Sequence, residues 1–205
     1  EPTLCPWLFD LFTAARQCGM SVGLVTNGWR LARQPEYARR ILENLDWLGL
    51  SVDSFQEASN MKIGRYVSRQ VLGLKDLLAI ANEARAAGVR LKVNTVVQRA
   101  NFEEDMILNM TALRPDRWKI LQVLPVVGQN DREYQACAVS TEEFRAFVER
   151  HRSIERLGVN LVPEDHAAMT ESYAMVDPGG YAFDTSEGRY RYSSAPVQDI
   201  GWQRA

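Results

Sequence analysis

Polar groups recur at every second position of three otherwise apolar segments: Ser51 in LGLSVD (48–53), Lys92 and Asn94 in RLKVNTVV (90–97), and Arg117 and Lys119 in RWKILQ (117–122). Side chains two apart on an extended strand share a side. Each segment therefore gathers its hydrophilic groups on one face, with Leu, Val and Ile on the other. Burying unpaired charge costs on the order of several kcal/mol per group, so three cations on neighbouring strands call for an anionic ligand. A polyphosphate suits them, because arginine offers a forked pair of donors and lysine a point charge. The same spacing is also compatible with cations that start exposed strands and snorkel into solvent.

The elements that would position these groups alternate along the chain. PWLFDLFTAARQCG (6–19), PEYARRILENLD (35–46), 67–88 and 103–115 carry helical spacing of apolar residues. Pro35 sits at a permitted first-turn position and Pro115 stops the last of these helices. Segments 47–55, 89–97 and the run entered through Arg117 read as strands, and 21–28 as a strand running into a turn. Strand and helix units of this length imply parallel strands joined by right-handed crossovers, hence an α/β fold, either an open sheet or a barrel. A parallel sheet with helices on both faces is apolar on both. Here the face carrying Gly23, Asn27, Gly49, Ser51, Asp53, Lys92 and Asn94 is small or polar, which favours helices on one side and a cavity on the other. Two units are expected: a core over 1–156, and a segment over 157–205, rich in Gly, Pro, Tyr and Ser, that covers the mouth of the cavity.

The bulk numbers exclude several classes. The 205 residues carry 24 basic and 26 acidic side chains, a formal charge of −2, so no general attraction to nucleic acid is expected and anion binding must be local. No apolar run is long enough to span a bilayer. Cys5, Cys18 and Cys137 are few, odd in number and without metal-ligand spacing, which fits a reducing compartment and an expected cytoplasmic location. His151 and His166 are expected at the surface. The opening EPTLCPWL, without an initiator methionine, reads as the start of a fragment.

Glu1-Pro2, LSVDSF (50–55), IGR (63–65), KVNTVV (92–97), NFEEDM (101–106), RWK (117–119), VPE (162–164) and SYAMVD (172–177) follow one another in the order and at the separations of the radical S-adenosylmethionine enzymes of the viperin-like group. The chain resembles that family over nearly its whole length, with Glu1-Pro2 matching the end of its Gly-Gly-Glu-Pro turn. The resemblance implies a partial (β/α)6 barrel, truncated here at its N-terminus. It implies S-adenosylmethionine and a 4Fe-4S cluster as cofactors, and an electron donor protein as partner. The implied reaction begins when cleavage of S-adenosylmethionine yields a 5′-deoxyadenosyl radical, which takes the 4′ hydrogen of a nucleoside triphosphate. Loss of the 3′ hydroxyl as water, with one further electron and proton, leaves a 3′-deoxy-3′,4′-didehydro nucleotide, an antiviral chain terminator. CTP or UTP is the expected substrate.

Carried over motif by motif, the resemblance makes Glu1 the acceptor for the methionine ammonium, Ser51 a ribose contact and Arg65 the partner of the methionine carboxylate. Asn27 and Asn94 complete the cofactor side. Lys92, Arg117 and Lys119 become triphosphate contacts, joined by Arg189 and Arg191 where the family's Gly-Arg-Lys reads Gly188-Arg189-Tyr190-Arg191. Tyr173 is the expected hydrogen donor to the substrate radical, and Glu164 lies near the substrate. The family's Cys-x3-Cys-x2-Cys run would precede Glu1, so these residues alone are expected to be inactive. Two other functions fit the same residues: radical chemistry on a peptide or another small molecule, and a non-catalytic α/β module binding nucleotides or proteins.

Overall fold

In a computed structural model, which describes residues 1–125, 130–169, 175–184 and 189–201, the alternating units become a five-stranded parallel sheet. Its elements are α1 (Leu8–Gln17), β1 (Gly23–Thr26), α2 (Trp29–Arg33), α3 (Pro35–Leu42), β2 (Trp47–Ser51), α4 (Glu57–Ile63), α5 (Leu74–Ala86), β3 (Arg90–Val97), α6 (Ile107–Leu113), β4 (Arg117–Gln122), α7 (Asp131–Cys137), α8 (Thr141–His151) and β5 (Asn160–Glu164). Beyond them lie α9 (His166–Met169), β6 (Met175–Val176), β7 (Ala182–Asp184), β8 (Arg191–Tyr192) and α10 (Val197–Ile200). Strands β6 to β8 form a separate antiparallel sheet.

The spatial order β1-β2-β3-β4-β5 follows the chain order. A doubly wound sheet reverses direction at a switch point; this one never does. Right-handed crossovers that always step the same way put every connecting helix on one face, so only that face needs to be apolar. Leu24, Leu48, Leu50, Leu91, Val93, Val97, Trp118, Ile120 and Leu161 project there and pack with Leu31, Ile41, Leu77, Ile80, Ala84, Met110, Leu113, Phe144 and Phe147 of the helices in one buried cluster. The result is an α/β sheet of the partial-barrel kind, as expected.

Two aspartates pin the register. Asp46, just before β2, accepts from the Val22 amide at 2.7 Å and donates its own amide to the Val22 carbonyl at 2.8 Å. Asp116, just before β4, repeats the device on Leu91 with 2.7 and 2.9 Å contacts. Since a one-residue slip would exchange the two faces of a strand, these paired contacts decide which side chains face the cavity.

Several boundaries differ from the sequence reading. The helix expected over 67–88 begins only at Leu74. Val67 and Gln70 instead pair across a tight turn in which Ser68 and Arg69 adopt φ of 49° and 60°, and Asp76 caps the helix by accepting from the Gly73 amide at 3.1 Å. The helix expected from 103 starts at Ile107. The strand within 21–28 spans Gly23–Thr26 and runs into the expected turn, where Asn27 turns its side-chain oxygen to the Trp29 amide at 2.8 Å and opens α2. The parallel sheet continues beyond residue 157 through β5.

His151 corrects a second expectation. It is fully buried, with one ring nitrogen accepting from the Met106 amide at 2.9 Å and the other 2.7 Å from the Phe147 carbonyl. Its ring packs edge-on to Trp118 at 5.0 Å. The histidine closes α8, and its position on the apolar stripe of that helix is where 3.6-residue periodicity places it. His166 is partly buried, 2.8 Å from the Val123 carbonyl.

Burial pushes the His151 pKa below the ordinary 6.5, outweighing the Phe147 carbonyl and Asp105. The unfolded chain then binds the proton more readily, so stability is complete above the ordinary histidine value and declines as pH falls below it. Chemical denaturation of the full-length protein is expected to show this decline, and His151→Gln, which keeps an acceptor for Met106, is expected to flatten it.

Candidate functional site

The pinned register turns sequence alternation into rows across the open face. Gly23, Trp47 and Arg90 form the row nearest the strand starts. Gly49, Lys92, Arg117 and Asn160 form the next, and Ser51, Asn94, Lys119 and Val162 the one after. Val96, Leu121 and Glu164 follow towards the strand ends. Lys92, Asn94, Arg117 and Lys119 thus lie together on one face of adjacent strands.

Lys119 forms an ion pair with Glu164 at 2.6 Å, with both side chains about 15% exposed (15% and 16%). Arg117 and Lys92 form no side-chain hydrogen bond or ion pair among the described residues, and the Arg117 Nε is buried without an acceptor. The Asn94 Oδ1 is likewise buried without a donor. Burial lowers the Lys92 pKa, and Lys119 and Arg117 lower it further, against the pull of Glu164. Among the described residues one carboxylate, Glu164, is ion-paired with this group of three cations, through Lys119, which leaves that part of the face short of negative charge. An anionic ligand would supply it. The Lys92 stem lies across Gly49, where an added Cβ would stand 3.3 Å from the Lys92 Cε.

At the strand ends, Asn27, Ser51, Asn60, Arg65, Tyr66, Gln70 and Leu72 line an open cleft of about 540 Å³. Glu1 stands at its edge. Its carboxylate accepts from the Thr3 amide and hydroxyl at 3.0 and 2.6 Å, from the Thr26 hydroxyl at 2.7 Å and from the Asn27 amide at 2.9 Å. Burial alone would raise the Glu1 pKa, but these four hydrogen bonds together hold it below the usual carboxylate value, so it is an anion at neutral pH. Arg65 is held by Asp53, whose Oδ2 accepts from its Nε at 2.5 Å while Oδ1 accepts from the Val96 amide at 2.8 Å. The Asn101 amide donates to the Asp53 carbonyl at 2.6 Å. This leaves the outer nitrogens of the Arg65 guanidinium for a carboxylate.

Asn27, Ser51 and Arg65 therefore line one cleft, which Glu1 adjoins through the Asn27 amide, with Asn94 beside Ser51 in register and Lys92, Arg117, Lys119 and Glu164 on the neighbouring strands. Arg191 lies on β8 opposite Asp184, on the separate sheet rather than the parallel one, and Arg189 stands just before that strand; both are exposed. Tyr173 falls outside the described residues. Sequence reasoning passed over two contributors. Asp53 was visible as the next inward step after Ser51, but its service to Arg65 depends on α4 returning that arginine to the strand end. Trp47 read as the start of a strand, whereas its ring faces the cavity side.

The profile of the Radical SAM superfamily matches residues 1–111, from Glu1 through β3 and into α6. The chain belongs to the radical SAM superfamily. Among its relatives, the S-adenosylmethionine-dependent nucleotide dehydratase of Lacinutrix mariniflava is 36% identical over all of this chain and 42% of its own length. That of Flammeovirga pacifica is 37% identical over all of this chain and 68% of its own. The S-adenosylmethionine-dependent nucleotide dehydratase RSAD2 of Danio rerio is 37% identical over 90% of this chain and 51% of its own. The chain thus spans between about two fifths and two thirds of these relatives, and the viperin-like resemblance is borne out. The crystal structure of Streptococcus suis SuiB bound to S-adenosylmethionine shares the fold, with TM-score 0.59 at 15% identity over 80% of this chain and 37% of that one.

Radical SAM enzymes use S-adenosylmethionine and a 4Fe-4S cluster. The cleft fits the first: a fixed anion, a half-committed guanidinium, a hydroxyl and an orphaned amide oxygen match an ammonium, a carboxylate and a ribose. The cluster has no ligand set here. Cys5, Cys18 and Cys137 are separate, and no group of three or more ligating side chains gathers among the described residues. Among those residues no helix is long and apolar enough to cross a membrane.

Because Asp53 is almost fully buried and serves two donors, Asp53→Asn is expected to destabilise the fold by about 1–3 kcal/mol, the cost of leaving charged and polar partners imperfectly paired. Urea unfolding of the full-length protein measures it.

Proposed function

We propose that the full-length protein dehydrates a nucleoside triphosphate, CTP or UTP, to its 3′-deoxy-3′,4′-didehydro analogue. The reading is supported above all by the three cations beside the cleft, Lys92 and Arg117 in one row and Lys119 in the next, which suit a polyphosphate in charge and donor chemistry. Relatives named as S-adenosylmethionine-dependent nucleotide dehydratases support it independently.

In this proposal Glu1 accepts from the methionine ammonium, Arg65 forks onto its carboxylate, and Asn27 and Ser51 fix the nucleoside part of the cofactor. Bound S-adenosylmethionine supplies the radical that opens the reaction. Asn94, with its unpaired amide oxygen between the two halves, orients the substrate ribose. Lys119, steadied by Glu164, and Lys92 and Arg117 hold the phosphates, and Arg189 and Arg191 approach them from the C-terminal segment, which covers the mouth. Tyr173 donates a hydrogen atom from its phenol to the substrate after the 3′ hydroxyl leaves as water. An electron donor protein completes the balance. Residues 1–205 alone are proposed to be inactive, since their cysteines do not converge.

The test is to incubate reduced full-length protein with S-adenosylmethionine and each of CTP, UTP and GTP, and to look for 5′-deoxyadenosine together with a product lighter by one water. 5′-Deoxyadenosine without any dehydrated nucleotide would overturn the substrate assignment. Lys119→Ala is expected to weaken CTP or UTP binding about tenfold to a hundredfold, the worth of a charge-assisted hydrogen bond, while S-adenosylmethionine binding survives. Equal loss of both contradicts the assignment. Tyr173→Phe is expected to release 5′-deoxyadenosine but form little product.

The lowered Lys92 pKa adds a pH signature. A bound polyphosphate favours charged Lys92, so affinity is expected to fall as pH rises from neutrality towards the ordinary lysine value of 10.5. Calorimetric titration of Lys92→Arg, which stays charged, is expected to remove that decline.

A further inference from the structure

Trp47 lies one row nearer the strand starts than Lys92 and Arg117, on the same open face. Two guanidiniums stand over its ring, Arg90 at 4.1 Å and Arg117 at 5.2 Å from the centroid. Among the described residues, Arg117 has this ring contact and neither an ion pair nor a hydrogen bond from its side chain. No carboxylate or carbonyl of the described residues accepts from that guanidinium, and its Nε is buried without an acceptor. A cation held by an aromatic face keeps its hydrogen-bonding edge free, whereas a carboxylate would occupy that edge and compete with a phosphate. Lys119 shows the contrast: it is held by Glu164 through the same ammonium it would offer a ligand.

The direction of the rows says which phosphate Arg117 meets. The cleft with Asn27, Ser51 and Arg65 lies at the strand ends, and Asn94 and Lys119 share the row of Ser51. Arg117 and Lys92 are one step deeper, about 7 Å for two residues of strand, and Trp47 is deeper again. A nucleotide with its ribose beside Asn94 runs its phosphates past Lys119 towards Arg117. The group farthest from the ribose arrives last.

Resting on the proposed function, we infer that Trp47 is a positioning residue that holds the Arg117 guanidinium over its ring at the deep end of the row, ready for the terminal phosphate, and so sets the preference for a triphosphate over a diphosphate. Trp47 itself touches no substrate atom. It acts by keeping Arg117 aimed while leaving its donors unspent.

The experiment measures CTP, CDP and S-adenosylmethionine affinities of the full-length protein, wild type and variants. The wild type is expected to prefer CTP to CDP. Trp47→Leu, which keeps bulk without an aromatic face, is expected to lose about tenfold in CTP affinity, the scale of one desolvated cation–π contact, with CDP changed less than twofold and S-adenosylmethionine unchanged. Trp47→Phe is expected to restore most of the CTP preference. Trp47→Gln, polar and without a π face, repeats the reading should the leucine variant fold poorly. An unchanged CTP-to-CDP ratio in the leucine or glutamine variant overturns the inference while leaving the proposed function standing. So does a loss shared equally by CTP, CDP and S-adenosylmethionine, which would mark Trp47 as merely structural. A wild-type protein that binds none of CTP, CDP, UTP and UDP removes the proposed function and this inference together.

Discussion

Everything at the site depends on the strand register. Asp46 and Asp116 each tie the start of one strand to its neighbour through an amide and a carboxylate, and the rows of polar side chains follow from those ties. A single-residue slip of β3 would carry Lys92 and Asn94 into the helix layer and turn Leu91 and Val93 towards the cleft. The cost of placing a cation and an amide among Trp118, Ile120 and the α5 leucines is what makes the register unambiguous. Folding energy and site assembly are therefore one constraint.

The one-sided winding of the sheet supplies the rest. With all crossover helices on one face, the other is released from the requirement to be apolar, and the chain fills it with groups that have few partners of their own. Buried polar atoms are normally satisfied. Asn94 Oδ1 and Arg117 Nε are not, and both lie on the open face, within one row of each other. By contrast, the buried side-chain polar groups of the described residues outside it are paired: the Trp118 indole donates to the Thr95 hydroxyl at 2.9 Å, Thr95 to the Val52 carbonyl at 2.7 Å, and Ser54 to Glu104. The molecule concentrates its unmet hydrogen-bonding capacity where a ligand would meet it.

Much of this was legible beforehand, because period-two alternation in LGLSVD, RLKVNTVV and RWKILQ is a direct image of the two sheet faces. Lys92, Asn94, Arg117 and Lys119 could be placed together from spacing alone. What spacing could not carry is anything decided by contacts between distant segments. The Asp53–Arg65 pair joins a strand end to the close of α4, the turn at Ser68 and Arg69 interrupts an apolar pattern that looks helical throughout, and His151 is buried because Trp118 and Phe147 happen to enclose it. The fifth strand, NLVPE, is short, carries a proline and alternates weakly, so its place beside β4 shows only once Asp116 and Asn160 are seen to join.

The central claim is that one polar sheet face serves a sulfonium cofactor at its rim and a polyphosphate below. Its most direct test is a crystal structure of the full-length protein with S-adenosylmethionine and a non-reacting nucleoside triphosphate. The account predicts the methionine carboxylate on Arg65, and phosphate oxygens within hydrogen-bonding distance of Lys92, Arg117 and Lys119. Phosphates bound elsewhere, with these three side chains turned to bulk solvent, would contradict it.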